Sequence, residues 1–232
     1  CFIMKKILLT SALSVAMSTT VLAASTPWVQ MPSKAGVVVG AEFGGAIIQT
    51  PTKKLYNTAE MANGSASVNR GSFAYGAHLG YDFALTQNVL LGPELGYYSN
   101  GLSQYKGSDA GVFSDKVKVR SNDIDLLAKL TYMFFNGWNV FGKAGVARVT
   151  QKFDAVTAFG TTLASAKKTE HQYKPELGIG VGYEFGSNIG FTVSYHHIFG
   201  TNSSNFRTKA NRAKKVYAVD ALMAAITYRF HV

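Results

Sequence analysis

The stretch Tyr173-Lys174-Pro175-Glu176-Leu177-Gly178-Ile179-Gly180-Val181-Gly182-Tyr183-Glu184-Phe185 decides the fold. Tyr173, Leu177, Ile179, Val181, Tyr183 and Phe185 alternate with Lys174, Glu176, Gly178, Gly180, Gly182 and Glu184. A period of two is the strand signature, because successive side chains leave a strand on opposite faces. One face here is aliphatic and aromatic; the other is glycine or charged. A solvated sheet face has no need of so many glycines. The narrow bore of a small barrel does, because glycines leave room for a few long charged side chains from facing strands.

The same alternation recurs along the chain. Phe73, Tyr75, Leu79, Tyr81 and Phe83 are interleaved with Gly76, His78, Gly80 and Asp82; Leu91, Leu95 and Tyr97 with Gly92, Glu94 and Gly96. Ile124, Leu126, Leu130 and Tyr132 are interleaved with Asp123, Asp125, Lys129 and Thr131. Segments at about 189–196 and 222–230 follow suit, and those at about 37–48 and 139–149 alternate less cleanly. These segments predict eight antiparallel strands, all-β and up-and-down. Their connections alternate in length. Thr86-Gln87-Asn88, Asn136-Gly137 and Gly186-Ser187-Asn188 are tight turns, whereas about 50–71, 101–116, 152–170 and 201–215 are long and polar. Short turns at one end and long loops at the other is the pattern of a transmembrane barrel, with four long loops outside the cell. Pro93 and Pro175, each opening a Pro-Glu-Leu-Gly, sit inside strands, where a bulge or a strand start is expected.

Composition agrees. The chain of 232 residues has 47% hydrophobic and only 16% charged residues, with 23 Gly, 15 Phe and 12 Tyr. Beyond the N-terminus no apolar run approaches the roughly 20 residues of a membrane helix. Met4, Lys5, Lys6, the apolar stretch Ile7–Val15 and the small-residue end Val21-Leu22-Ala23 have the parts of a secretory signal. The expected organisation is residues 1–3 as upstream read-through, 4–23 as signal peptide, 24–35 as a periplasmic N-terminal segment and 36–232 as barrel. Cys1 falls before the signal, so a disulfide is not expected.

With this plan in place, the chain resembles the small barrels of Gram-negative outer membranes, the superfamily of the OmpA transmembrane domain and the opacity proteins. The residues that carry the resemblance are Phe141-Gly142-Lys143-Ala144-Gly145-Val146-Ala147, the stretch Pro175-Glu176-Leu177-Gly178 with Gly180–Phe185, and Tyr228-Arg229-Phe230. It implies an outer-membrane location, lipid and lipopolysaccharide as surroundings, and a monomer. It also makes Tyr228 and Phe230 a C-terminal signal for the barrel-assembly machinery, here followed by His231 and Val232. Some barrels of this size modify lipid A with Ser, His and a carboxylate; Ser194 and His196 share a strand face and are the nearest match.

The candidate bore residues are Glu42, Glu94, Asp125, Lys129, Lys143, Glu176, Glu184 and Arg229. Buried charges must pair, so these are expected to form a salt-bridge network that plugs an eight-stranded bore. The competing expectation is a small-solute pore selecting by charge; an enzyme is the least favoured. Arg207, Lys209, Arg212, Lys214 and Lys215 form a basic patch in the last long loop, suited to lipopolysaccharide phosphates or to sulfated host surface molecules. Phe134, Phe135 and Trp138 read as an interfacial aromatic belt. No cofactor, metal or nucleic acid is expected. The functional expectation is a structural, surface-interacting barrel.

Overall fold

A computed structural model describes residues 35–49, 65–69, 71–109, 113–159, 162–185, 188–200 and 216–231. The expected signal peptide, the read-through, nearly all of the expected periplasmic segment and the basic patch lie outside these residues.

Alternating sequence becomes alternating burial. In β1 (Gly36–Ile48) even-numbered side chains such as Val38, Glu42 and Ala46 are buried, while Val39, Phe43 and Ile47 are exposed. β2 (Ser65–Asn69) and β3 (Gly71–Ala84) both pair with β4 (Val89–Asp109). β5 (Phe113–Met133), β6 (Trp138–Phe159), β7 (Thr162–Glu184), β8 (Ile189–Ile198) and β9 (Val219–His231) follow, each antiparallel to the one before. β4 pairs with β5, and β1 pairs with both β3 and β9, which closes the sheet. With β2 prolonging the β3 position, the result is a ring of eight antiparallel strands. A closed ring leaves no backbone edge to face hydrocarbon.

The exposed face is the apolar one. Phe73, Leu79, Leu95, Leu126, Leu130, Ile179, Leu222 and Ile226 are each at least half exposed, with no protein to cover them, as lipid-facing side chains should be. Aromatic pairs collect near the short turns: Tyr132–Phe134, Trp138–Tyr183, Tyr183–Phe185 and Tyr228–Phe230 have ring centroids 4.7–5.4 Å apart in edge-to-face contact. The turns themselves are tight. Phe134 N–H donates to the Trp138 carbonyl and Phe185 N–H to that of Ile189.

Three features depart from the sequence reading. First, two of the long polar links are ladder rather than loop. β4 and β5 stay paired out to Asp109↔Phe113, and β6 and β7 out to Phe159↔Thr162. About 9–11 tilted residues cross a membrane, so strands of 21–23 residues stand well clear of it. Away from lipid the outer face turns polar, which hides these strands from a hydrophobicity count. Ser65–Asn69, inside a third link, is also a strand.

Second, the prolines cause no bulge. Pro93 keeps register with Ala128 of β5, but the β3–β4 ladder skips from Gly80↔Glu94 to Phe83↔Leu91, where the missing N–H faces. Pro175 lies just past the last β7–β8 pair, and its carbonyl accepts from Phe199 N–H at 3.0 Å. Third, the bulge falls between Ser99 and Leu102, where Gly101 has φ +72°. A side chain at 101 would be strained and would also meet Ser72. The bulge switches β4's inward residues from even (Glu94, Tyr98, Asn100) to odd (Ser103, Tyr105).

Candidate functional site

Among the described residues the bore is where this sheet gathers polar side chains away from water, and its occupants come from every strand of the ring. All eight expected residues lie on inward-facing positions: Glu42, Glu94, Asp125, Lys143, Glu176 and Arg229 are less than a tenth exposed, and the side chains of Lys129 and Glu184 are 12% and 8% exposed.

Register explains who meets whom. Lys129 and Lys143 are direct cross-strand partners on the inner face, an arrangement that is repulsive by itself. Glu94, projecting from β4, resolves it by taking one lysine on each oxygen: Lys143 Nζ at 2.5 Å from Oε1 and Lys129 Nζ at 3.4 Å from Oε2. Lys129 also stands 3.7 Å from Asp82, and Arg229 bridges Asp82 at 3.0 Å and Glu184 at 3.3 Å. On the other side Lys143 lies 4.0 Å from Glu42. Glu42 in turn accepts from the Tyr98 hydroxyl at 2.8 Å and has His78 Nδ1 at 2.5 Å. Ion pairs thus run from Glu184 beside the short turns to Glu42 at mid-bore.

Sequence reading missed Asp82, His78, Tyr98 and Asp123 as members, although all four stand on the same inward parity. The parity was the available signal. Asp123, Asp125 and Glu176 form a second group, with their ligand atoms within 4.8 Å of one another. The Asn100 amide donates to Asp123, and His196 Nδ1 is 3.0 Å from Glu176. Gly96 is paired with Asp125, and a Cβ there would sit 2.2 Å from Asp125 Oδ1. Glycine at 96 is therefore what lets the carboxylate enter the bore.

Ser194 Oγ lies 2.9 Å from His196 Nε2, so Ser194, His196 and Glu176 are in line. Each is at most 5% exposed inside the bore. An acyl chain in the bilayer is separated from them by the barrel wall. His197 points the other way, 2.6 Å from Asp220 on the outer surface, where Tyr195 and Gln49 also donate to Asp220.

At the long-hairpin end the bore becomes apolar. Val216 and Tyr217 form one buried cluster with Ile48, Val119, Val149, Ile198, Val219 and Met223, with Phe153 against it. Gln151 fixes this cap by accepting from Tyr217 N–H at 2.9 Å and donating to its carbonyl at 3.0 Å. At the short-turn end a cavity of about 40 Å³ remains, lined by Glu94, Lys129, Lys143, Glu184 and Arg229 among others. Tyr228 and Phe230, the expected assembly signal, are on the outer face of β9, 42% and 51% exposed.

Comparison with known proteins adds the following. A protein of Coxiella burnetii with no assigned role is 26% identical over 221 residues, covering 85% of this chain and 86% of that one. Outer membrane protein P5 of Haemophilus influenzae is 31% identical over 166 residues, 70% of this chain but 45% of P5, so the chain spans less than half of that relative. Among solved structures, OprG of Pseudomonas aeruginosa aligns with a TM-score of 0.48 at 15% identity, covering 85% of this chain and 97% of OprG. Ail of Yersinia pestis aligns at 0.38 and 13% identity, covering 84% and 99%. The model of the OmpA-like transmembrane domain matches residues 32–232, which includes every described strand, and the chain belongs to that family of Gram-negative outer-membrane β-barrels.

Proposed function

We propose that this protein is a structural barrel of the outer membrane whose bore is closed and whose surface role is carried by the long hairpins on the outside of the cell. The observation that carries the closed bore is the unbroken chain of contacts Glu184–Arg229–Asp82–Lys129–Glu94–Lys143–Glu42, with the Tyr217 cap beyond it. Eight strands leave an interior that side chains can fill. Purified protein in planar bilayers is expected to give no large, stable conductance; a steady large conductance at neutral pH would end this reading.

A small-solute pore is the second reading, favoured by the polar cavity of about 40 Å³ at the short-turn end. That volume holds about three waters at one per 10–15 Å³, and the Tyr217 cluster stands between it and the other end. Opening such a pore requires the cap to move, so single-channel bursts that lengthen in Tyr217→Ala would favour it.

For the surface role, Arg207, Lys209, Arg212, Lys214 and Lys215 supply guanidinium and ammonium groups suited to phosphate or sulfate on lipopolysaccharide or host glycans. Soluble heparin is expected to bind whole protein in micelles, and to lose that binding when all five become Ala. Tyr228 and Phe230, facing outward on the last strand, fit the role of the signal read during assembly.

A further inference from the structure

Two clusters in the bore have the spacing of a metal site, and they differ in what already neutralises them. In the first, Glu42, His78 and Glu94 converge, but Lys143 Nζ stands 2.5 Å from Glu94 and 4.0 Å from Glu42, so an ammonium fills the role of the cation. In the second, Asp123, Asp125 and Glu176 are 4%, 1% and 2% exposed, and among the described residues no lysine or arginine pairs with any of them. Both oxygens of Asp125 and Oε2 of Glu176 are buried with no hydrogen-bond partner. Asp123 keeps the Asn100 amide and Glu176 the His196 imidazole, but leaving Asp125 in this state is costly, since a buried ion without a partner carries an effective penalty of several kcal/mol.

We infer that Asp123, Asp125 and Glu176 bind one divalent cation of the hard, oxygen-seeking class, with calcium the best fit. The donor set is carboxylate oxygen throughout, the set such ions take. Oxygens each about 2.3–2.6 Å from a calcium ion lie no more than about twice that far apart, and these atoms are all within 4.8 Å of one another. The nearby imidazole does not compete for the role of ligand, because His196 is engaged by Ser194 on one nitrogen and Glu176 on the other. A cavity of about 10 Å³ lined by Asp123, Glu176, Asn100 and Tyr98 adjoins the trio, space for about one water-sized sphere.

Charge balance points the same way. Glu42, Asp82, Glu94 and Glu184 share Lys129, Lys143 and Arg229. Among the described residues none of these three cations forms an ion pair with the trio, whose one cation-forming neighbour is the His196 imidazole, 3.0 Å from Glu176. Lys143, already held by Glu94 and Glu42, is close enough to act on Asp125 through space, and Lys174, partly buried on the inward register of β7 two residues before Glu176, is a second alternative counter-charge. Among the described residues it forms no ion pair. The site does not depend on whether the bore conducts.

The test uses the whole protein refolded in micelles free of lipopolysaccharide, with Tb³⁺ as probe and Tyr98, which lines the adjoining cavity, as sensitiser. Saturable luminescence displaced by Ca²⁺ is expected, with Mg²⁺ a weaker competitor. Asp125→Asn is expected to weaken binding at least about tenfold, the loss typical of a perturbed metal site; heat-shifted electrophoretic mobility verifies that each variant is folded. If Asp125→Asn does not fold, Glu176→Gln takes its place. Lys174→Met should leave binding intact. Luminescence that does not saturate, or that survives Asp125→Asn or Glu176→Gln unchanged, overturns the site. Binding that emerges only in Lys174→Met also overturns it, because the lysine is then the resident counter-charge.

Discussion

Near the short turns Arg229, Lys129 and Lys143 fill the bore with ion pairs, whereas under the long hairpins Tyr217, Val119 and Val149 fill it with apolar side chains. Strands such as β5 and β6 supply inward side chains to both ends, Lys129 and Lys143 to one and Val119 and Val149 to the other. The two ends differ in what holds each filling in place. The charged end depends on register between strands far apart in sequence: Glu94 and Lys143 are 49 residues apart, Asp82 and Arg229 147. The apolar end depends on one short segment, residues 216–218, held by Gln151. A filling of charges fails by leaving an ion without its partner; a filling of apolar groups fails only by leaving a gap. The first failure is larger, and it is not relieved by relaxation of neighbours.

The comparison can be broken most directly at Lys143. Lys143→Met leaves Glu94 with Lys129 as its remaining ion-pair partner and takes from Glu42 its lysine, and is expected to cost about 3–5 kcal/mol, the usual result of removing one member of a buried pair. Lys143→Met with Glu94→Gln should recover most of that loss. Urea unfolding in lipid vesicles reads both, and a single variant as stable as the parent would remove the distinction between the two ends.

At the apolar end, Gln151→Ala removes two hydrogen bonds to the Tyr217 backbone and should cost about 1–3 kcal/mol. Its sharper signature is local: amide exchange should quicken at 217–219 and stay unchanged at 222–228. Uniform quickening would mean that the cap is integral to the whole ring. The smallest effect is expected at Pro93→Ala, which restores one donor facing β3 where the ladder is interrupted. The gain should not exceed about 1 kcal/mol, and a marked loss would show that the proline shapes the strand.

Much of this barrel was readable before any coordinates. The inward set was marked by its own chemistry, because Glu176, Gly178, Gly180 and Gly182 cannot belong on a lipid-facing surface. The membrane-spanning portions of the strands emerged for the same reason. What stayed hidden required register. Nothing local to Lys129 says that Lys143 lies opposite, or that Glu94 arrives from a third strand to separate them. The Gly101 bulge was hidden because a single extra residue inverts parity without changing composition, burying Ser103 and Tyr105 in place of Leu102 and Gln104. The cap was hidden because Val216-Tyr217-Ala218 reads as the plain start of a strand. The distal hairpins read as loops because, outside the bilayer, nothing requires their outer face to be greasy.

The Lys143–Glu42 and Arg229–Asp82 contacts also bear on how such a sheet comes to be finished. Glu42 is on the first strand, which touches both β3 and the last strand, β9; Arg229 is on β9 and Asp82 on β3. An inserted sheet whose first and last strands have not met exposes part of this set of ions with their counter-ions still absent. Union of the two seam strands therefore brings Glu42 to Lys143 and Arg229 to Asp82, so closing the ring also neutralises the last charges of the interior.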